Sequence, residues 1–486
     1  MSSSATQIRF DDLLEYRIKA GIYHVIVFFT SSFICFIDGA DIISYSLVLP
    51  VITKQWNISA ANQSLISFIL FAGSFLGTFF CGALTTKFGR RRILLWALLS
   101  QFLLSLTATY IESILTFLIV RFLLAFTLGV MTTIAPLQIS EIMPLEWRGQ
   151  AVILSIFFTS FGKLYGCIIS WFVLSDPLNQ NWRQMILWSY APTILGWIGV
   201  YFFTFESPRY VIVMGRVEEG IAILNKIGHM NDDDFVEFDE RITEDMRRWQ
   251  MTVYKKEEVE SIFSLLRSEY KPITLSLSAT LFSVSFIYFG TIFILPEILE
   301  ILAGPSTDDK AVGTDLWGIT IAVLGELPSA FAAFIMIEKK FFGRRKSLFW
   351  CAGASFLLLL LSSISTTSLL VLLIASVRFL MRIMLAILLL LSIELYPTHC
   401  RTTGVGVTAS MGRLGTSLMP WFCIALLNLG AKIPLLGFSF ACILALGAIY
   451  QLPYDTLRRY LDTKGDQSDN YVELPNMSNW EHIADD

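Results

Sequence analysis

The 486 residues are 55% hydrophobic and only 16% charged, with a mean hydropathy of +0.62, which excludes an ordinary soluble domain. The formal net charge of −4 averages basic clusters with acidic patches such as Asp232–Asp234, so it identifies no partner, and nothing points to nucleic acid. No G-x-x-x-x-G-K-[ST] loop supports an ATP-driven pump, and no His/Cys cluster suggests a metal; the expectation is no bound cofactor.

The apolar residues form twelve blocks of about 20 residues, each long enough to cross the hydrocarbon core as a helix. In chain order they lie at 22–50, 62–84, 93–111, 114–136, 151–173 and 184–204, then 272–297, 316–337, 347–364, 368–393, 403–427 and 433–453. The blocks are continuously apolar rather than alternating, so a helical bundle is the expected spanning form. The division is a tail (1–21), a six-helix half (22–204), a charged helical linker (205–271), a second six-helix half (272–453) and a tail (454–486). With the N-terminus in the cytoplasm, the inner loops hold Lys87, Arg90–Arg92, Arg148, Lys339, Lys340, Arg344–Lys346 and Arg401, and the outer loops only Lys54, Arg183, Lys310 and Lys432. From that asymmetry both tails and the linker are expected inside, and the polar tail with Asp11-Asp12 leads to the expectation of no cleavable leader. None of the seven cysteines falls in an outer loop, so no structural disulfide is expected.

The two halves repeat one another. Phe88-Gly89-Arg90-Arg91 recurs 254 residues later as Phe342-Gly343-Arg344-Arg345. Glu141, Pro144 and Arg148 recur 253 later as Glu394, Pro397 and Arg401, and Gly162-Lys163-Leu164 is echoed by Gly412-Arg413-Leu414. Ordered echoes at nearly one spacing, 254, 253 and 250 residues, indicate a duplicated half, a common construction of secondary transporters.

These motifs make the chain resemble the major facilitator superfamily over residues 10–460, in the branch of synaptic-vesicle-glycoprotein-2-related proteins, organic ion transporters and aromatic-acid/proton symporters. The residues that carry it are Gly73, Gly77, Gly82, Phe88–Arg92, Arg121 with Gly129, Pro136, Glu141, Pro144, Arg148-Gly149 and Glu206-Ser207-Pro208-Arg209. The second half adds Glu326-Leu327-Pro328, Glu394–Pro397, Arg401–Gly404 and Leu452-Pro453. Short outer loops at 50–61 and 298–315 set the chain nearer the related-protein type than the animal organic ion carriers or the vesicle glycoproteins. The resemblance implies alternating access by twelve helices, a small-molecule substrate, a functional monomer in the plasma membrane or a vesicle membrane, and no enzymatic activity. It also implies an inner latch between the Arg-rich turns and an acid three residues before the glycine. Thr86 and Lys340 stand there instead, so a weak latch is expected.

The charges inside the spans are the sharpest signal, because burying one in a bilayer is costly and usually marks a pathway or a pair. Asp38 and Asp41 share one face of the first span. Three roles are open for them: proton coupling, an ion pair with Lys163, Arg121 or Arg413, or contact with a cationic solute. Arg121 in the fourth span is the evident partner of a titrating acid. Lys163 and Arg413 occupy echoing positions and are candidates for a positive pole of the cavity, Arg413 for binding an anion or for an internal salt bridge. Glu326, just before Pro328, is either a cavity wall or a partner of Arg378 or Arg382. Arg382 departs from the branch pattern. Arg90, Arg91, Glu141, Arg148, Arg344, Arg345, Glu394 and Arg401 are expected at the gate, with Glu141/Arg148 and Glu394/Arg401 bridging helix ends. Asn57-Ile58-Ser59 is a glycosylation pattern, so Asn57 is a candidate acceptor, and Tyr471–Leu474 resembles a tyrosine sorting signal. The expected function is proton-coupled transport of a small organic anion or aromatic acid; an organic cation or sugar carrier, and a vesicle protein using the fold as a binding scaffold, are the rivals.

Overall fold

A computed structural model describes residues 10–58, 60–174, 181–253, 265, 270–303, 320, 323–338, 343–398, 400–430 and 432–452. The sequence features at Ser59, Lys310, Lys339, Lys340, Phe342 and Tyr471–Leu474 lie outside them.

The first six-helix unit comprises α1 (Ile22–Gln55), α2 (Ala60–Phe88), α3 (Arg90–Ala108), α4 (Ile114–Ile142), α5 (Leu145–Val173), and a sixth crossing made of α6 (Trp182–Tyr190) and α7 (Thr193–Phe203). The break in the sixth crossing falls at Ala191-Pro192, where proline removes a backbone donor. Three short helices follow: α8 (Pro208–Val213), α9 (Val217–Asn231) and α10 (Glu240–Val253). The second unit comprises α11 (Lys271–Ala303), α12 (Pro328–Glu338), α13 (Arg344–Ile364), α14 (Thr367–Leu395), α15 (Arg401–Leu427) and α16 (Ile433–Tyr450).

Ten described helices are long and apolar enough to cross a bilayer. Before α12 an apolar helical stretch begins at Val323. The 27-residue α15 falls short in hydropathy because its run RTTGVGVTASMGRLGTS is small and polar. That composition suits a helix packed against another helix rather than against lipid.

The units meet along two seams. On one, α2 packs on α15: a Cβ added at Gly82 would lie 2.5 Å from the Thr403 Cα, and at the other end the Phe68 and Trp421 rings are 5.6 Å apart. Of the three α2 glycines that carry the family resemblance, Gly82 faces the other unit, whereas Gly73 and Gly77 face the α4 carbonyls of Phe122 and Phe126. On the second seam α5 meets α12 and α14, with Phe157 and Phe331 rings 5.7 Å apart.

At the face carrying α8–α10, here the insert side, an N-terminal turn is built into the protein. Phe10, Leu13, Leu14 and Ile18 are buried in one apolar cluster with Ile212, Leu224, Met246 and Trp249. Asn231 ties the turn to α1, donating to the Ile18 and Lys19 carbonyls and accepting from the Tyr23 amide at 3.0 Å. At the opposite end Trp56, Phe117 and Trp182 form an aromatic cluster with centroids 5.7 Å apart.

Candidate functional site

The interior site is positioned by a backbone contact between α1 and α5. A Cβ added at Gly39 would lie 1.9 Å from the Thr159 carbonyl oxygen, and one at Gly162 would lie 1.8 Å from that of Phe36. Only glycine fits at either place. The two glycines are chain neighbours of Asp38 and Lys163, so the closest approach of the helices carries an acid and a base into the middle of the bundle.

Asp38 and Asp41 take different partners. Asp41 stays within the first unit: its Oδ1 lies 3.1 Å from Arg121 Nη1 and accepts a hydrogen bond from the Tyr190 hydroxyl. Arg121 also donates to that hydroxyl at 2.8 Å and lies over the Tyr45 ring, 5.4 Å from its centroid. Asp38 faces across the seam, its Oδ1 3.5 Å from Arg413 Nη2. Arg413 Nη2 is also 3.5 Å from Thr132 Oγ1 on the first unit.

The other crossing pair is Lys163 with Glu326. Lys163 Nζ donates to Glu326 Oε2 at 2.6 Å and to the Tyr288 hydroxyl at 2.7 Å, and that hydroxyl donates to the same Oε2 at 2.8 Å. Glu326 Oε1 takes Arg378 Nη2 at 2.5 Å. Arg382 donates instead to the Ile156 carbonyl at 3.2 Å. Among the described residues the interior therefore holds the cations Arg121, Lys163, Arg378, Arg382 and Arg413 against the acids Asp38, Asp41 and Glu326.

The insert-side mouth follows the repeat closely. Gly89 and Gly343 open α3 and α13 with φ of +89° and +58°, a conformation that favours glycine. Glu206 caps α3, accepting from the Arg90 and Arg91 amides at 2.8 and 3.1 Å, where free N–H groups favour a carboxylate. Arg90 Nη2 lies 2.7 Å from Glu141 Oε1, and Arg344 pairs with Glu394 in the same way. Each arginine also touches the other unit. Arg90 donates to Thr402 at 3.3 Å, and a Cβ at Gly149, the counterpart of Thr402, would lie 2.9 Å from Arg344 Nη2.

The repeat then breaks. Arg401 Nη1 crosses to Glu141 at 3.8 Å, but its counterpart Arg148 takes Asp11 of the N-terminal turn at 2.6 Å. Asp11 also pairs with Arg209, which lies over the Phe10 ring. Burial pushes the Asp11 carboxyl up, but the Arg209 and Arg148 charges overcome this and hold it at about 2.

Three expectations are corrected. Arg91 and Arg345 do not reach across the mouth in this structure: they donate to the Tyr201 and Tyr450 carbonyls at 2.7 and 2.6 Å, on the last helix of their own unit. Glu141 does not bridge to Arg148, because the turn at Pro144 leads Arg148 toward the N-terminal turn while Glu141 faces Arg90. The inner contact is not weak for lack of an acid at Thr86, since Glu141 supplies the carboxylate from α4. Of the partners considered for the aspartates, Arg121 and Arg413 are taken and Lys163 is not; Glu326 takes Arg378. Asn57 is exposed at the end of α1, on the side opposite the insert. Tyr190 and Asp11 were missed: a tyrosine in an aromatic-rich block reads as packing, and an acid in a polar tail reads as solvated.

A family profile described as sugar (and other) transporter matches residues 23–462. Organic cation/carnitine transporter 7 of Arabidopsis thaliana is 26% identical, over 80% of this chain and 83% of that protein. The putative transporter SVOPL of Homo sapiens is 26% identical over 93% and 92%, and the synaptic vesicle 2-related protein of Pongo abelii 23% identical over 87% and 77%. Among solved structures, the proton:xylose symporter XylE superposes with a TM-score of 0.71 at 19% identity, covering 90% of this chain and 98% of that one. The human organic anion transporter MFSD10 gives 0.64 at 13% identity, covering 88% and 99%.

Proposed function

The chain belongs to the sugar (and other) transporter family, with the major facilitator fold, and from that premise we propose that it carries a small organic anion together with a proton. The reading rests on the Asp38–Arg413 pair, which crosses the seam at 3.5 Å inside a site with more cations than acids. A proton on Asp38 neutralises the counter-ion of Arg413. The guanidinium is then free to accept a carboxylate in its fork of donors. Asp41, Arg121 and Tyr190 form the second polar cluster of the coupling site, with the hydroxyl placed to pass a proton between the acid and its surroundings. Lys163 and Glu326 supply a further contact to the solute when the units part. Arg90, Arg344, Glu141, Glu394, Arg148 and Arg401 control the insert-side mouth. We place that side in the cytoplasm on the distribution of basic residues, Asn57 outside as the glycosylation acceptor, and the protein as a monomer in the plasma membrane or a vesicle membrane.

The test is uptake of benzoate by proteoliposomes under an inward proton gradient. Asp38→Asn and Asp41→Asn should each abolish the pH-driven component; unchanged uptake in both sinks the proposal. A cation or sugar carrier is the second reading, favoured by the names of the plant relative and of XylE. Uptake of such a solute that survives Arg413→Ala but not Asp38→Ala would establish it. Failure of the reconstituted protein to move any solute favours a binding scaffold.

A further inference from the structure

Arg382 is the interior cation for which the mechanism above finds no use. It lies in the middle of α14, 15 residues from one end and 13 from the other, too deep for its side chain to reach either surface easily. Its residue 253 positions earlier is Gly129, where an added Cβ would lie 2.4 Å from the Ser74 carbonyl oxygen. The first unit thus spends this position on close helix packing, and the second places a guanidinium there. Arg121, Lys163, Arg378 and Arg413 each have a carboxylate within 3.5 Å, whereas among the described residues Arg382 donates to a backbone carbonyl. Its charge lies within electrostatic reach of both Asp38 and Glu326, so it belongs to the same interior field.

The guanidinium borders a cavity of about 10 Å³, room for roughly one water. Ile153, Ile156, Phe157 and Ser160 of the first unit close one wall, and Ser329 and Ala386 of the second close the other. The cavity therefore straddles the seam and widens whenever the units separate. When it does, the Ile156 carbonyl and the Phe157 ring move away with α5, and Arg382 remains on α14, on the Ser329 and Ala386 side of the opened cavity.

We propose that Arg382 is a second anion-binding residue of the transport site, and that the preferred solute carries two acidic groups, one for Arg413 and one for Arg382. This rests on the anion reading above and adds the substrate class. The excess of cations over acids in the interior matches a dianion, and the Phe157 side of the cavity suits a flat or short carbon skeleton between the charges.

The experiment compares benzoate with isophthalate and terephthalate on the purified full-length protein, by thermal stabilisation and by competition for uptake. Wild type should bind one of the two diacids at least about tenfold more tightly than benzoate, the effect of one added charged hydrogen-bonded pair. Arg382→Gln should bring that ratio to about one while leaving benzoate affinity within about threefold. Arg382→Lys, which keeps the charge and loses the fork, should retain an intermediate preference, and it stands in should the glutamine variant not fold. Benzoate binding with no diacid preference in wild type, or a preference unchanged in Arg382→Gln, overturns this assignment and spares the anion reading. Failure of all three acids to bind wild type overturns both.

Discussion

Among the described residues two ion pairs cross the seam between the six-helix units in the interior, and they are built differently. Lys163 and Glu326 are 2.6 Å apart, both side chains are 3% exposed, and Tyr288 and Arg378 complete the acid's partners. Asp38 and Arg413 are 3.5 Å apart, with side chains 12% and 22% exposed, and among the described residues no second cation is in direct contact with the acid. Both pairs begin on the α1–α5 contact and end on the second unit. The first resembles a strut, since breaking it strands buried charge. The second resembles a latch, since its contact is longer and has fewer hydrogen bonds around it, so a solute carboxylate can take the place of Asp38 when the units part. Position in the fold is nearly shared, so the surrounding hydrogen bonds decide the difference.

The largest test is Glu326→Gln, which leaves Lys163 and Arg378 without their carboxylate. It should cost about 3–5 kcal/mol of stability in thermal or denaturant unfolding. Lys163→Met should cost less, because Glu326 keeps Arg378 and Tyr288. A cost under about 1 kcal/mol for Glu326→Gln would erase the distinction between the two pairs.

Asp11 offers a control for a tight pair that does not cross the interior. Its carboxyl, lowered from 3.8 to about 2, contributes about 2 kcal/mol at neutral pH. The carboxyl is depressed on folding, so this contribution is present above pH 3.8 and fades as pH falls through about 2. Asp11→Asn should be destabilised by that amount at pH 7, and the two stability curves should converge in acid. Parallel curves would show that the Arg148 and Arg209 contacts do not act through its charge.

Asp38→Asn tests the latch. Unfolding should move by no more than about 1 kcal/mol, while pH-driven uptake falls more than about tenfold. A stability loss matching that of Glu326→Gln would make the two pairs alike. The smallest effect belongs to Tyr190→Phe, which removes one donor to Asp41 at about 1 kcal/mol and should move the pH midpoint of uptake while sparing the maximal rate. No movement of the midpoint would remove the hydroxyl from the proton path.

The helices and the duplication are legible because both are local: an apolar block reads as a span, and Phe-Gly-Arg-Arg is visible wherever it stands. Pairings are not local. Asp38 and Arg413 are 375 residues apart, and Lys163, brought beside Asp38 by the α1–α5 contact, turns to Glu326 and Tyr288 on the other unit. Lys163, Arg121 and Arg413 are all candidates from the sequence, and only the fold assigns Arg121 to Asp41 and Arg413 to Asp38. Arg91 and Arg345 looked like gate residues because they adjoin Arg90 and Arg344, and a helix turns neighbours to different faces. Asp11 gave no signal, since nothing in a polar tail announces that Phe10 and Leu14 beside it are fully buried.

The two glycines that press α1 against α5 have a mechanical consequence. Helices in backbone contact cannot slide or splay at that level, so Asp38 and Lys163 ride on one stiff beam. Neither crossing pair can be stretched without loading the other. In a carrier working as proposed, a proton on Asp38 alone undoes the latch and leaves the strut intact, and a solute alone meets an occupied Arg413. Passage then requires both arrivals, which is the logic of a coincidence detector and guards against leakage of either cargo by itself.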